Sequence, residues 1–577
     1  METPRSKASA NEQLHVATPG AARPRPDSMH WLQRPVIAGL LLLVVYAGLS
    51  LTLNDPRGTL GTDTGGKLAT LHMMERHGGL DPAVGYWAER ENPAGVLHPL
   101  YYTFRTGGKW VNVTTLPMLY AAYPLYRIGG DRAILLLPML GAVFSAFAAR
   151  ALARRLGAGS GWTAFWVIGL ASPVAIYALD FWEHSLGLAL MLWGVVLLFD
   201  ITEARAGCWG ALAAGALFGA AATMRTEALV YLGVGTAVAC ATVAMRRRSI
   251  ARSTALGFAI VGGAAVILLL NQILEHVTIG TGLRSNRVTG TARAAAGALA
   301  TRGREALTTL IGLDGFATPL DWIIGGLVVL LVAYGAWRLL NSNERVDLVG
   351  IAALAVAGAF VLLRARAGLG FVPGVLTASP FAAAGVALGW RRRSGFPMVV
   401  ACAALPLVWA FQYSGGAAPQ WGGRYELLSG ALLAVVATVV VARSRFAFAA
   451  LVAMSVLVTA FGLGWLSERS HAVADGIETL VDRHDQAVIS LEGHLLREGG
   501  AFYEPNRHWL TAVSDEQLRR AARIVEGAGD REVAVVAPTG RKLPGRLGRF
   551  SRVDTQPLEI RRILRLQVVT YRDLTSP

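Results

Sequence analysis

Charged side chains are scarce in this sequence. They make up 16% of its 577 residues, where a soluble domain carries about a quarter, and the mean hydropathy is +0.44. That shortfall excludes a soluble protein of this size and marks an integral membrane protein. Cysteine is scarcer still. Cys208, Cys240 and Cys402 all fall in apolar runs with no CxxC spacing, which leaves no disulfide framework or thiolate metal site. Acids are outnumbered by bases, giving a net charge of +16. The excess does not point to nucleic acid, because the arginines cluster in short loops between apolar runs, where they set topology and meet lipid headgroups. No internal repeat or low-complexity tract stands out.

What is abundant is apolar sequence. Runs long enough to cross a bilayer, about 20 residues each, fall near 36–53, 131–150, 161–179, 183–200, 207–224, 226–245, 252–274, 320–340, 346–364, 371–390, 396–413, 426–443 and 445–466. They predict an all-α polytopic membrane protein with about 13 transmembrane helices. The first run is too long for a removable signal peptide and lacks a cleavage site, so it reads as an anchor. Residues 1–33, polar and Pro/Ala-rich, predict a disordered cytoplasmic tail. The Pro-interrupted "TLPMLYAAYPLYR", 115–127, reads as a helix on the membrane surface. With that reading Arg154/Arg155, Arg246/Arg247/Arg248/Arg252, Arg338/Arg345, Arg391/Arg392/Arg393 and Arg443/Arg445 all fall on one side, the cytoplasmic one. Long loops 54–130 and 275–319, several short polar turns and the C-terminal segment then lie outside. The expected topology has an internal N-terminus and an external C-terminus in a bacterial plasma membrane.

The octapeptide "GTDTGGKL", 61–68, nearly matches a phosphate-binding P-loop. Leu68 stands where the pattern needs Ser or Thr, the stretch follows a membrane helix rather than a strand, and its side lacks ATP. Asp63 is therefore open to two readings, a helix cap or a reactive carboxylate. In the first, Thr62 or Asp63 caps a helix that Gly78-Gly79 ends. The loop around it holds Lys67, Tyr86, Trp87, His98 and a hairpin-like "YYTFRTGGKWVNV", aromatic-rich material suited to forming a site. Further polar groups gather in other external turns: Asp180, Glu183 and His184 in "DFWEH", Arg225 and Glu227 in "RTE", Arg364 and Arg366 in "RARAGLG", and Trp421, Arg424 and Tyr425 in "QWGGRYE". Spacings of three and four put Asp180, Glu183 and His184 on one face of a helix, as orienting groups or ligands of a divalent cation. Arg225 and Glu227 also fit a local ion pair, and Trp421, Arg424 and Tyr425 an interfacial anchor. Loop 275–319 adds Arg284, Arg287, Arg293, Arg302 and Arg304, a cover for a phospholipid-like donor or a solvated loop touching headgroups.

A short tail, one span, a long external loop with an early Asp, and a surface helix carrying "PLY" just before the second span resemble the GT-C glycosyltransferases. That superfamily includes protein O-mannosyltransferases, aminoarabinose transferases and actinobacterial arabinofuranosyltransferases. The resemblance covers most of 34–466 and assigns no subfamily. It implies transfer of a sugar from a polyprenyl-phosphate donor to a cell-wall glycan, lipid or protein acceptor on the external face. It also implies Asp63 as general base, because the Asp of the first external loop has that role in the group. The leaving lipid phosphate calls for a cation that stays charged, which suits Arg424, Arg225, Arg364 and Arg366. Lys67, Tyr86, Trp87, His98, Asp180, Glu183, His184, Glu227, Trp421 and Tyr425 would line the substrates or support them. No cofactor is certain, and a divalent cation stays open because some members of the group require one. The remaining segment, 467–577, changes composition sharply and predicts a small extracytoplasmic α/β module with a helix capped by Ser514 and Gln517. Its "FYEPNRHWL" stretch fits either glycan stacking or packing on the membrane domain. A flippase or transporter of lipid-linked sugars, or an O-antigen-type polymerase or ligase, is the rival reading. The spans, however, carry almost no mid-depth charge of the kind transport uses.

Overall fold

The computed structural model describes residues 34–59, 61–282, 309–312, 319–342, 347–367, 373–390, 394–411, 421–482, 487–560 and 564–574. The expected tail 1–33, most of loop 275–319 with its five arginines, and the side chains of Arg364 and Arg366 lie outside that set. The chain divides into two compact units, Met1–Leu41 and Leu42–Pro577. In the first, the described residues are the opening of helix α1 (Pro35–Leu53).

The second unit is mostly helical. After α1 come α2 (Thr62–His77), the hairpin β1 (Thr103–Thr106) and β2 (Lys109–Asn112), α3 (Leu116–Ala133) and α4 (Leu136–Arg155). Then follow α5 (Trp162–Leu170), α6 (Val174–Tyr177), α7 (His184–Thr202), α8 (Cys208–Met224), α9 (Glu227–Arg247) and α10 (Ile250–Ile279). The later helices are α11 (Pro319–Asn341), α12 (Leu348–Ala367), α13 (Val375–Ala378), α14 (Pro380–Leu388), α15 (Gly395–Phe411), α16 (Leu427–Val441) and α17 (Arg445–Val481). Among the described residues eight helices are long and apolar enough to cross a membrane, while α8, α15 and the stretch Leu348–Leu363 of α12 are apolar but shorter. The runs at 161–179 and 371–390 are each broken into two pieces, at Pro173 and at Ser379-Pro380. Proline cannot donate into the helical ladder, so it begins a new segment there. Segment 115–127, expected to lie on the membrane surface, forms most of α3, which extends to Ala133 across a kink at Gly129 and Gly130, where Gly130 takes a φ of 62°.

Ion pairs show which helix ends lie together. Arg155 at the end of α4 grips Asp200 near the end of α7 with two bonds of 2.7 Å, and Arg246 at the end of α9 meets Glu203 at 2.5 Å. The arginine-rich ends therefore share one end of the bundle. The starts of α7, α9 and α16 and the end of α8 fall at the other end, with α2 and the β1–β2 hairpin. Thr106 Oγ1 of that hairpin donates to Ile279 O at the end of α10, 3.0 Å away.

Helix α17 continues past residue 466, where the sequence composition changes, and reaches Val481 before the module begins. The module contains β3 (Ala487–Ser490), α18 (Leu495–Glu498), β4 (His508–Thr511), α19 (Asp515–Gly527), β5 (Glu532–Pro538), β6 (Arg546–Leu547), β7 (Phe550–Ile560) and β8 (Leu564–Asp573). Its six strands run in the order β4-β3-β5-β8-β7-β6, parallel across β4-β3-β5 and antiparallel beyond. Alternate residues serve opposite faces, as strand geometry requires. Ile489, Leu510, Val533 and Val535 pack against α19 and against Val84, Leu97 and Trp110 of the first loop, whereas Val488, Trp509, Val536 and Val568 pack against Val473, Ile477 and Leu480 of α17. The module thus gains core by sandwiching its sheet between the first loop and the end of α17. Ser514 caps α19 by accepting from Gln517 N–H, and the Gln517 side chain accepts from Val513 N–H.

Candidate functional site

The octapeptide 61–68 opens α2, and its residues divide the work. Gly61 is the N-cap and no side chain caps the helix, so neither Thr62 nor Asp63 has the capping role expected as one alternative. Gly78 ends the helix in the left-handed conformation, with Gly79 N–H reaching back to Met74 O at 3.1 Å. Gly65 and Gly66 let another segment approach. A Cβ on Gly65 would lie 2.0 Å from Arg497 O, and one on Gly66 would lie 2.3 Å from Asn112 Oδ1. Gly500 faces Gly65 in turn, where a Cβ would lie 1.8 Å from Gly65 O. Gly65, Gly66 and Gly500 therefore seat residues 497–500 of the module directly on α2. The docking brings Arg497 to Asp63, Nη1 to Oδ1 at 3.1 Å.

One turn along α2, Lys67 begins a buried chain of charges. Its ammonium meets Glu183, whose other oxygen lies 3.4 Å from Arg225 Nη1, and Arg225 Nε donates to Glu227 Oε1 at 2.8 Å. Lys67, Glu183, Arg225 and Glu227 are all at most 3% exposed. Two cations and two anions balance, which makes the burial of four charges tolerable. Gly187 leaves room for Arg225, since a Cβ there would sit 2.8 Å from its Cγ. Arg225 Nη2 and Glu227 Oε2 remain buried without a hydrogen-bond partner among the described residues.

The third part comes from the segment before α16. The Arg225 guanidinium lies over the Tyr425 ring at 5.0 Å, and Arg424 lies over the same ring at 4.5 Å and over Trp182 at 5.4 Å. Arg424 Nη2 also donates to Tyr425 Oη at 2.7 Å. Trp421 is fixed by its backbone, whose carbonyl accepts from Tyr177 Oη at 2.7 Å. His184 stacks on Tyr177 at 4.9 Å and tilts against Trp182 at 4.3 Å. Asp180 Oδ2 accepts from Thr64 Oγ1 at 2.9 Å, which ties this turn back to α2. The expectation that Asp180, Glu183 and His184 share a helical face does not hold. α6 ends at Tyr177 and α7 starts at His184, so the two acids sit on the turn between them.

Asp63, Lys67, Asp180, Glu183, His184, Arg225, Glu227, Trp421, Arg424 and Tyr425 are thereby linked through contacts at one end of the bundle. Tyr86, Trp87 and His98 have other partners. His98 is fully enclosed among Tyr86, Trp110 and Tyr503. Its Nδ1 accepts from Leu100 N–H, so Nε2 carries the proton toward Gly85 O, and burial pushes its pKa down to about 4. Tyr86 Oη accepts from Asn92, and Trp87 donates to Trp509 O while stacking on His508 at 4.2 Å. These three hold the first loop to the module. Tyr503 and Trp509 are likewise buried in packing. The residue sequence reasoning passed over is Arg497. Its signal was the second glycine pair in "REGG", which matches the pair in "TGGK".

No group of three or more His, Cys, Asp or Glu side chains is placed to hold a metal ion among the described residues. Both Glu183 oxygens already serve cations, so the "DFWEH" turn does not fit a divalent ion as it stands. Further along α2 an open cavity of about 440 Å³ is lined by His72, Arg76, Tyr126, Phe502, Glu504 and Arg507.

No protein-family model and no curated protein matches the chain. Among solved structures it is similar to ArnT from Cupriavidus metallidurans bound to undecaprenyl phosphate, at 13% identity and a TM-score of 0.40, covering 94% of this chain and 98% of that one. It is also similar to the Archaeoglobus fulgidus oligosaccharyltransferase in complex with zinc and sulfate, at 13% identity and a TM-score of 0.42, covering 86% of this chain and 67% of that one. A third match is AglB of the same archaeon with an inhibitory peptide and a dolichol-phosphate, at 13% identity and a TM-score of 0.39, covering 88% and 70%. Likeness at that level carries no inference about activity.

Proposed function

We propose that this protein is a GT-C-type glycosyltransferase that moves a sugar from a polyprenyl-phosphate donor to a cell-envelope acceptor at the external membrane face, with about 13 spans, an internal N-terminus and an external C-terminus. The observation that carries the reading is the setting of Asp63. It is a carboxylate in the first turn of α2, 24% exposed, at the bundle end where Lys67, Arg225 and Arg424 also gather. The acceptor hydroxyl attacks the anomeric carbon as its proton passes to the Asp63 carboxylate. The bond from that carbon to the phosphate oxygen breaks, and the polyprenyl phosphate leaves with the electron pair. Attack opposite the leaving group inverts the anomeric centre. Arg424, held beside the Trp182 and Tyr425 rings, and the unsatisfied Nη2 of Arg225 supply donors for the departing phosphate. Arg364 and Arg366, at the end of α12, are further candidates for that contact. The open cavity along α2 gives a bulky acceptor room beside the module.

The test offers the purified protein a panel of labelled polyprenyl-phosphate sugars with cell-envelope acceptors. Turnover by wild type, lowered roughly 10²–10⁴-fold by Asp63→Asn with donor binding retained, is the expected result. Normal turnover by Asp63→Asn would overturn the assignment of the base.

A further inference from the structure

Arg497 is 1% exposed, and each of its three guanidinium nitrogens donates. Nε and Nη2 both reach Asn112 Oδ1 at 3.2 Å, and Nη2 also reaches Val113 O at 3.0 Å. These three bonds clamp one edge of the fork to the end of β2, and the ring of Tyr102 lies 5.4 Å from its centre. The remaining nitrogen, Nη1, then has a fixed direction. It donates to Thr62 Oγ1 at 2.9 Å and to Asp63 Oδ1 at 3.1 Å. A planar, always-charged fork held on one edge sets the position of a carboxylate on the other, which an ammonium on a flexible stem does less well. Asp63 and Arg497 are 434 residues apart, and the glycine pairs on α2 and in the module bring them within reach.

We propose that Arg497 is a positioning residue for Asp63, so that the C-terminal module completes the reactive site and its docking on α2 holds the carboxylate ionised and oriented. This rests on the reading of Asp63 as a base. It goes further by giving the module a part in the chemistry rather than in packing alone. Undocking of the module leaves Asp63 on α2 but removes the cation that fixes it. Docking is thus a condition for deprotonating the acceptor.

The test uses the full-length protein in lipid nanodiscs and two readouts. The first needs no substrate: a water-soluble carbodiimide labels protonated carboxyls, and mass spectrometry follows its yield at Asp63 against pH. Loss of a cation beside a carboxylate favours its neutral form by about one pH unit or more, so Arg497→Gln should raise the midpoint of labelling by at least that amount. The second is kcat with whichever labelled polyprenyl-phosphate sugar the panel selects. Arg497→Lys should lower kcat about tenfold or more with donor KM within about twofold, and should have no further effect in an Asp63→Asn background. Asn112→Ala keeps the guanidinium but loosens its clamped edge, and should give a smaller loss of the same kind. It carries the test if the Arg497 variants do not fold. An unmoved labelling midpoint, or an equal rate loss with and without Asp63, would overturn the proposal. Normal turnover by Asp63→Asn would instead overturn the base assignment and leave the labelling result standing.

Discussion

The buried chain Lys67–Glu183–Arg225–Glu227 gives the sharpest test of how this end of the bundle is held. Lys67→Met keeps the length of the side chain and removes one positive charge. The chain then carries two acids against one base, in a place where Glu183 is 2% exposed. Breaking a buried ion pair by removing one partner typically costs about 3–5 kcal/mol, because the other charge is left without compensation. Glu183→Gln alone leaves two cations with one acid and should cost a similar amount. The double variant restores the balance, because Arg225 still pairs with Glu227 at 2.8 Å. It should be less destabilised than the two single losses summed, with a coupling of about 2 kcal/mol or more. Equilibrium unfolding of all four proteins in mixed micelles, repeated at two salt concentrations, measures the cycle. The coupling should change little with salt, because the groups are screened from solvent. Additivity within about 0.5 kcal/mol would refute the claim that these groups form one compensated unit.

The other predictions concern the docked module and the membrane. His98 has its pKa lowered to about 4 in the folded state against 6.5 for an ordinary histidine. The unfolded chain therefore binds more protons below pH 6.5, so the stability from a neutral His98 is complete above that pH. It is lost progressively down to about pH 4, up to about 3 kcal/mol. Protease sensitivity of the module measured from pH 7 to 4 should rise across that window in wild type and less so in His98→Gln. Gly65→Ala should dislodge residues 497–500, because its Cβ would lie 2.0 Å from a backbone oxygen. Faster proteolysis at the module together with lost turnover is expected. A reporter fused after residue 157 or 250 should signal the cytoplasm and one after 480 the exterior, and a cytoplasmic signal at 480 would sink the proposed orientation.

How much of this was legible in the sequence depended on the range of the interaction. Helices follow from local apolar composition, so each expected span coincides with helical structure, and the breaks fall where proline denies a donor. Strands β3, β5 and β8 carry dense Val and Ile runs that read as sheet. β7 is not legible in this way, because "FSRVDTQPLEI" is exposed from 552 to 557 and holds a proline, and pairing with β8 and β6 makes it a strand. Polar turns between apolar runs were findable as candidate site groups, since little else is charged near those runs. Their connections were not. That Lys67 meets Glu183 across 116 residues is set by how α2 crosses the start of α7, which no local pattern encodes.

The glycines show where the missing information was. "TGGK" resembles a phosphate loop because close backbone approach demands small residues, whatever it is that approaches. In a P-loop the approaching group is a phosphate, whereas here it is a second backbone, residues 497–500. The same physical requirement produced nearly the same letters for a different partner, and the matching pair at Gly499 and Gly500 identifies that partner. Gly499 packs against Ile477 of α17, where a Cβ would lie 2.8 Å from the side chain, while Gly500 packs against Gly65. One glycine pair thus joins the last long helix to the first-loop helix. Any substitution in it should move Arg497 relative to Asp63 before it disturbs the rest of the sheet.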